Sequence, residues 1–180
     1  FQISVFAGGE IMPPLQVFDA TATNAVECCH TLTSYFIGKN PAYAFDGGLP
    51  FGLNTRQQAA WLYSGGLDKL RELFGKAGLV PVPVGNVGVQ MGGWFRKEIN
   101  SLEDLKGLKF RIGGMGGIVF SKLGVVPQQI AGGDIYTALE RGSIDAAEWI
   151  GPYDDEKLGF FKVAKFYYTP GWWEGSAQIT

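Results

Sequence analysis

The chain has 180 residues, and its 15 Lys and Arg against 17 Asp and Glu give a net charge of −2. That length suits one domain, or two small lobes, around a real hydrophobic core. No apolar run reaches the ~18 residues of a membrane span, and no basic patch supports nucleic-acid binding. Glycine contributes 27 residues, about twice its average share. The composition therefore predicts a globular protein that is neither embedded in a membrane nor a nucleic-acid binder.

The first half of the chain contains alternating apolar segments and two amphipathic segments. The predicted strands are 2–7, 25–30 and 79–84, and the predicted helices are 15–24, 55–64 and 67–76. Asn54 is a good N-cap for the second helix, and Pro81 and Pro83 favour an edge position for the third strand. Cys28 and Cys29 lie in the second strand, where we expect two small buried apolar side chains rather than a metal or redox site.

The second half alternates strands and helices more regularly. The predicted elements are an extended segment over 87–95, a short helix after Ser101, strands at 108–112, 125–130, 144–149 and 163–168, and helices at 117–123, 133–141 and after Pro152. Residues 178–180 resemble the start of one more strand. This alternation predicts an α/β fold with a largely parallel sheet, and such sheets bind ligands at the carboxyl ends of their strands.

Charge is uneven along the chain. The first 60 residues hold only two basic and four acidic side chains, whereas both signs are denser in the remainder. This shift favours two lobes that meet near residue 85.

Three features could indicate nucleotide binding, catalysis or metal binding, but each has a simpler structural explanation. The glycine cluster at 113–117 follows a strand but lacks the register of a nucleotide-binding loop, so we interpret it as a tight turn. His30, the only histidine, has no evident nucleophile or companion ligand and is expected to be structural. The acidic run 154–156 follows Pro152 and suits a solvated helix N-terminus better than a metal site.

Polar side chains at strand ends are more informative. Glu148 and Trp149 end one predicted strand, and Arg111 ends another in a similar position. A carboxylate beside a large aromatic ring is poorly placed for a core and well placed for a cleft. Gln90 lies among glycines, where a backbone can approach a ligand closely. A simple ion pair between Arg111 and Glu148 is the alternative interpretation.

Aromatic side chains are dense between residues 149 and 173. Part of this group must belong to the hydrophobic core. Trp172 and Trp173, next to Glu174, could instead form the wall of a small pocket.

Five longer segments are distinctive. They are PFGLNTRQQAAWL (50–62), QMGGWFRKEI (90–99), LEDLKGLKFRIGG (102–114), VPQQIAGGDIYTALERGSIDAAEWIGPYDDEKLGF (126–160) and PGWWEG (170–175). These segments resemble the solute-binding proteins of TRAP transporters, the DctP-type family, and the resemblance covers nearly the whole chain. They are most similar to the branch that binds 2-oxo acids such as pyruvate and other small monocarboxylates.

The resemblance implies a two-lobed α/β binding protein of the bacterial periplasm, not an enzyme, with its ligand cleft between the lobes. Residues 1–85 would form part of lobe one, 86–170 would form lobe two, and 171–180 would return toward lobe one. The chain would then be incomplete at both ends. Its partners would be a small organic acid and the membrane permease subunits of the transporter, with a homodimer left open.

The resemblance also implies the site. In the family an arginine on a lobe-two strand pairs with the ligand carboxylate, and Arg111 in KFRIGG matches it. In the 2-oxo acid branch a cation, often sodium, bridges ligand and protein through a Gln side chain, a Glu side chain and the carbonyl of the next Trp. Gln90, Glu148 and the backbone carbonyl of Trp149 match these three oxygen donors, which suit a hard cation.

A charge count supports this assignment. The ligand carboxylate, Glu148, Arg111 and Na⁺ sum to zero, which a desolvated site favours. With Ca²⁺ the sum is +1, so the identity of the cation stays open, but without any cation Glu148 repels the ligand. Further pocket contacts are expected from the following side chains: Tyr35, Phe51, Trp172, Trp173 and Glu174.

Two other functions compete with this interpretation. An enzyme that processes a carboxylate would use Glu148 with Asp145 or Asp154 as an acid–base pair, although the sequence offers no nucleophile–base pair. A binding protein for another organic acid, such as lactate, would keep the arginine clamp.

Overall fold

The computed structural model describes residues 2–180, and over 176–179 it describes the backbone only. The helices are α1 Val17–Ala22, α2 Thr55–Trp61, α3 Leu67–Gly75, α4 Gly114–Ser121, α5 Ile135–Arg141 and α6 Pro152–Leu158. The strands are β1 His30–Leu32, β2 Val82–Gln90, β3 Gly93–Phe95, β4 Lys109–Arg111, β5 Val126–Gln128, β6 Ala146–Ala147, β7 Phe166–Tyr168 and β8 Trp173–Ile179. None of the described helices has the length and hydropathy needed to cross a bilayer.

The strands form two sheets. One sheet has the order β1-β8-β2, and both of its pairings are antiparallel. The other has the order β5-β4-β6-β3-β7, in which β4 runs parallel to β5 and β6, while β3 runs antiparallel to β6 and β7. The prediction of a largely parallel sheet is therefore wrong. The chain enters this sheet through β3 in the direction opposite to β4, β5 and β6, and a three-residue strand carries no sequence signal of its direction.

Strands β2 and β8 link the two sheets. They pair from Val82 opposite Ile179 to Gln90 opposite Trp173, with two irregularities of register along the way. Just beyond this pairing, the backbone N–H of Met91 donates to the carbonyl of Ile150 at 2.9 Å. Gln90 and Trp173 therefore lie next to the segment that follows β6.

The hydrophobic core consists of three clusters. The first lies around α1 and α3 and contains Phe18, Phe36, Tyr43, Leu70, Phe74 and Leu79. The other two cover opposite faces of the five-stranded sheet, because the neighbouring residues Ala146 and Ala147 of β6 belong to different clusters. Side chains alternate between the faces of a strand, so Arg111 points away from the cluster that holds Phe110 and Ile112.

Several predicted elements are confirmed. The helices expected at 15–24, 55–64, 67–76, 133–141 and after Pro152 are present, mostly one to three residues shorter, and α4 begins at Gly114. Asn54 caps α2, since its side chain accepts from the N–H of Gln57 and the Gln57 side chain accepts from the N–H of Asn54. Asp104 accepts hydrogen bonds from both the N–H and the hydroxyl of Ser101, which confirms the short helix there.

Other predicted elements are wrong. Residues 2–7 form no strand, and their apolar side chains are exposed because no neighbouring strand in the described chain pairs with them. Of the strand expected at 25–30, only His30 belongs to β1. Cys28 is consequently exposed, and Cys29 alone is buried. The last strand begins at Trp173, so Gln178 lies near its end rather than at its start.

A close contact between a glycine and an aromatic ring gives a test of this packing. A Cβ added to Gly132 would lie 2.4 Å from Cη2 of Trp149, whereas a Cβ on Gly133 would meet nothing within 4 Å. We expect Gly132→Ala to lower the free energy of unfolding by about 1–3 kcal/mol through overpacking. The matched variant Gly133→Ala should change it by less than about 0.5 kcal/mol. Urea denaturation of both variants checks this, and equal effects would contradict the packing of the Trp149 ring against Gly132.

Candidate functional site

Arg111 lies at the carboxyl end of β4 and is only 3% exposed. Its Nε donates to the carbonyl of Ile130 at 3.0 Å, and its Nη1 donates to the backbone carbonyl of Glu148 at 2.7 Å. Its Nη2 lies 3.4 Å from the hydroxyl of Tyr35, and the guanidinium sits 5.0 Å from the ring centroid of Trp149. Two backbone carbonyls and an aromatic face thus hold the guanidinium in one orientation.

Glu148 follows β6, the strand next to β4, and is 2% exposed. Its Oε2 lies 3.5 Å from Nη1 of Arg111, whereas its Oε1 is buried and has no hydrogen-bond partner among the described residues. Burial raises the pKa of Glu148 to about 8, although the nearby Arg111 guanidinium opposes the shift. A buried carboxyl with one free oxygen is costly, so this oxygen is a place where a positively charged or donor group would be favourable.

Gln90 ends β2 and is 6% exposed. Its amide nitrogen donates to the backbone carbonyl of Trp149 at 2.5 Å. A rotation of the amide by half a turn would present its oxygen in the same direction, since the two ends of an amide have nearly the same shape. The amide of Gln90, the carbonyl of Trp149 and the carboxylate of Glu148 therefore provide oxygen donors at the end of β6.

This donor set fits a hard cation. Sodium and calcium are bound in proteins by carboxylate, amide and backbone carbonyl oxygens, and Glu148 supplies a buried oxygen without another partner among the described residues. The part of the chain that the structure describes contains no group of three or more His, Cys, Asp and Glu side chains suited to a metal. A cation here would consequently depend on one carboxylate together with neutral oxygens.

Two tryptophans lie side by side at the start of β8, and both pack against the core cluster of Phe110 and Ile112. Trp173 is 7% exposed, and a Cβ added to Gly116 of α4 would lie 2.8 Å from its ring. Trp172 stacks on Trp173 at 5.2 Å. Both indole N–H groups are buried without a hydrogen bond of good geometry among the described residues, although the Trp173 indole lies near enough to Glu148 to lower the pKa of that carboxyl slightly. The Trp173 indole N–H is thus a donor near Glu148.

Glu174 and Phe51 lie apart from this group. Strand alternation places Glu174 on the face of β8 opposite Trp173, where its carboxylate accepts from the hydroxyl of Thr55 at 2.7 Å. There it lines a separate cavity of about 140 Å³. Phe51 is 85% exposed and meets the edge of the Trp172 ring at 6.2 Å. The structure thus brings Tyr35, Glu148 and Trp149 into contact with Arg111, and a hydrogen bond joins Gln90 to Trp149.

Some residues that position the site side chains were not indicated by the sequence. The carbonyl of Ile130 orients Arg111, and the amide of Gln129 donates to the carbonyl of Tyr35 at 3.0 Å. Contacts to backbone carbonyls leave no trace in residue type, so no sequence signal could have identified the first. The expectation of a solvated acidic run is wrong for Asp155, which is 1% exposed and accepts hydrogen bonds from Ile150 and Trp94.

Comparison with known proteins gives consistent results. Residues 1–178 match the DctP family, described as bacterial extracellular solute-binding protein, family 7. A protein of Nostoc sp. named monocarboxylate 2-oxoacid-binding periplasmic protein is 58% identical over 175 residues, which are 97% of this chain and 48% of that protein.

Solved structures agree with the sequence comparison. A TRAP transporter solute-binding protein from Bordetella bronchiseptica is 64% identical with a TM-score of 0.95, covering 99% of this chain and 54% of that one. It is a mixed-occupancy dimer whose occupied site holds copurified calcium and picolinate. A periplasmic solute-binding protein from Pseudoalteromonas atlantica, with bound sodium and pyruvate, is 44% identical with a TM-score of 0.88, covering 93% and 52%.

The chain therefore belongs to the DctP family of TRAP solute-binding proteins. This confirms the resemblance and the α/β fold that it implied, and it places the chain among transport binding proteins rather than enzymes. The family therefore gives no support to the interpretation of Glu148 as a catalytic acid or base. The chain spans about half the length of these relatives.

The buried carboxyl of Glu148 predicts a pH dependence of stability in cation-free buffer. Its pKa is about 8 in the folded protein against an ordinary 4.5, so between these values the folded state holds a proton that the unfolded chain has lost. The free energy of unfolding should therefore fall as the pH rises from about 4.5 to about 8.

Urea denaturation across this pH range, with chelator present, measures the free energy of unfolding. Comparison of variants then isolates the contribution of the Glu148 carboxyl to its pH dependence. Glu148→Gln should lack this part of the pH dependence, because a neutral amide has no proton to lose. Glu140→Gln, at an exposed position of α5, should keep it. Identical pH profiles for the unsubstituted protein and Glu148→Gln would rule out a raised pKa for this carboxyl.

Proposed function

We propose that the protein captures a small monocarboxylate of the 2-oxo acid class, such as pyruvate, in the periplasm and delivers it to the permease of a TRAP transporter. The observation that carries this proposal is the buried pair of Arg111 and Glu148, in which one carboxylate oxygen has no partner among the described residues. The relatives from Nostoc and Pseudoalteromonas support it, since one is named for 2-oxo acids and the other holds pyruvate.

Arg111 is proposed to clamp the ligand carboxylate. Its Nε and one N–H of Nη1 are occupied by carbonyls, and Nη2 makes only the long hydrogen bond to Tyr35 within the described part of the chain. One N–H of Nη1 and those of Nη2 therefore remain for a carboxylate, and the planar guanidinium suits bidentate pairing. Because the guanidinium is already oriented and desolvated, little further ordering is needed on binding.

A cation is proposed to be held by the oxygens of Gln90, Glu148 and the Trp149 backbone carbonyl. It would supply the positive charge that lets an anionic ligand approach Glu148. With Na⁺ the ligand carboxylate, Glu148, Arg111 and the cation sum to zero, and with Ca²⁺ they sum to +1. Both fit a buried site better than the net −1 that an ionised Glu148 leaves without a cation.

Two lobes are proposed to close around this ligand. Residues 1–85 would form part of lobe one, 86–170 lobe two, and 171–180 the return, so that β2 and β8 run between them as the connecting strands. Tyr35 of lobe one would contact lobe two twice, because its hydroxyl faces Arg111 and its carbonyl accepts from Gln129. The large Trp149 ring packed against the buried Arg111 guanidinium favours a short acid over a sugar acid.

Lactate is the competing ligand, since a 2-hydroxy acid carries the same carboxylate for Arg111. A 2-oxo acid differs in offering a carbonyl oxygen to the cation in the place of a hydroxyl. Calorimetric titration with pyruvate, 2-oxobutyrate and lactate separates the two classes, and we expect the 2-oxo acids to bind more tightly.

Loss of the arginine clamp should weaken binding. We expect Arg111→Ala to reduce pyruvate affinity by at least about 2 kcal/mol, roughly thirtyfold, because a buried carboxylate loses its partner. Arg111→Lys should recover only part of the affinity, since an ammonium cannot pair in a bidentate manner. Arg71→Ala, on the exposed side of α3, serves as the charge-matched control. Unchanged affinity in Arg111→Ala, measured by calorimetry, would exclude the clamp.

Binding should also depend on a cation. After dialysis into choline or Tris salts with chelator, we expect pyruvate affinity to fall at least tenfold and to recover on addition of Na⁺ or Ca²⁺. The reason is that a cation stabilises the ionised form of Glu148 beside the ligand carboxylate, whereas without a cation this buried carboxyl holds a proton up to a pH of about 8 and supplies no charged ligand that links the anion to the protein. Equal pyruvate affinity with and without cations would remove the cation from the site while leaving the arginine clamp intact.

A further inference from the structure

Asp155 is a buried carboxylate with both oxygens engaged. It lies in the first turn of α6, and its Oδ1 accepts from the backbone N–H of Ile150 at 3.1 Å. Its Oδ2 accepts from the indole N–H of Trp94 at 2.9 Å. Trp94 is itself fixed, since it belongs to β3 and its ring packs on Tyr167 at 4.3 Å. The carboxylate is therefore held by two rigid elements.

The N–H that Asp155 accepts belongs to the same peptide group as the Trp149 carbonyl. In a trans peptide the N–H and the C=O point in opposite directions within one plane. The Ile150 N–H points to Asp155, so the Trp149 C=O must point the other way, and there it accepts from the amide of Gln90. Asp155 and Gln90 thus hold the two sides of one peptide plane.

We propose that Asp155 is a positioning residue for the cation site, fixing the Trp149–Ile150 peptide so that the Trp149 carbonyl oxygen faces the cation. This inference rests on the cation site of the proposed function and deepens it. An acceptor on the N–H side also polarises the peptide, because chains of hydrogen bonds strengthen one another, and this makes the carbonyl oxygen a better ligand. Groups behind a metal ligand commonly act in this way.

A role in capping α6 alone does not account for the burial of Asp155. Acidic residues favour the first turn of a helix from exposed positions as well, and the neighbouring Asp154 occupies the same turn without being buried. Capping also does not require the hydrogen bond from Trp94, which comes from a distant strand. A need to fix the orientation of the Ile150 N–H explains both contacts of Asp155, because the hydrogen bond from Trp94 holds the carboxylate in place to accept from that N–H.

The sequence allows this single peptide to be observed directly. Trp149–Ile150 is the only Trp-Ile pair in the 180 residues. Labelling with carbonyl-¹³C tryptophan and ¹⁵N isoleucine therefore yields one HNCO cross-peak, which reports the Ile150 N–H and the Trp149 carbonyl together. Calcium chloride alone is the probe, and its affinity is measured by calorimetry on the same samples.

We expect calcium to shift the Trp149 carbonyl resonance of the unsubstituted protein. Asp155→Asn should move the Ile150 amide proton upfield, reduce the carbonyl shift and weaken calcium binding about 10- to 100-fold. Asp154→Asn makes the same charge change in the same helical turn and should match the unsubstituted protein in all three. Trp94→Phe, which removes one hydrogen bond to Asp155, should weaken calcium binding about fivefold, and it decides the matter if Asp155→Asn does not fold.

Three results would overturn the inference. A folded Asp155→Asn with a lower melting temperature but unchanged calcium affinity and carbonyl shift shows a purely structural role. If Asp155→Asn does not fold, an unchanged calcium affinity in Trp94→Phe likewise shows that Asp155 has a purely structural role. If the unsubstituted protein does not bind calcium, both the proposed cation site and the role of Asp155 are contradicted. If it binds calcium and the variants bind calcium equally well, only the role of Asp155 is contradicted.

Discussion

The burial of a carboxyl beside a guanidinium is the constraint on which this structure depends. Glu148 and Arg111 are both almost completely buried, and their closest charged atoms are 3.5 Å apart. A buried ion pair recovers its desolvation cost only if the remaining polar atoms are also satisfied. Arg111 meets this condition only in part, through two backbone carbonyls, and Glu148 keeps one oxygen without a partner among the described residues. The pair is therefore better suited to binding than to stabilising the fold.

The topology explains why these groups meet. Parallel strands β4 and β6 are neighbours, so Arg111 and Glu148 emerge at the same edge of the sheet. The antiparallel pair β2 and β8 delivers Gln90 and Trp173 to that edge from the other sheet. The site thus depends on both sheets at once, and a relative movement of the two sheets would separate its parts. In the proposed two-lobed arrangement, closure would bring these groups together and so be coupled to ligand capture.

The sequence indicates the charged residues of the candidate site better than it indicates the strand directions and buried contacts that hold them in place. Glu148 and Arg111 are recognisable because charged residues at strand ends are unusual in a core, and the motif resemblance adds the ligand roles expected of Gln90 and Trp149. The direction of β3 and the missing strand at 2–7 depend on long-range pairing, which local periodicity does not encode. The burial of Asp155 has the same origin: an acidic residue after Pro152 favours a helix start whether it is exposed or covered by Trp94, and only the tertiary packing decides.

The oxygen donors also set how selective the site can be. One carboxylate with an amide and a backbone carbonyl gives a donor set of low charge, which is compatible with either a monovalent or a divalent hard cation. Of the two related structures, one holds sodium and the other holds calcium. In the proposed cation site, where few charges are available, affinity would depend on the direction in which the neutral oxygens point. The orientation of the Trp149–Ile150 peptide therefore matters more here than it would in a site built from several carboxylates.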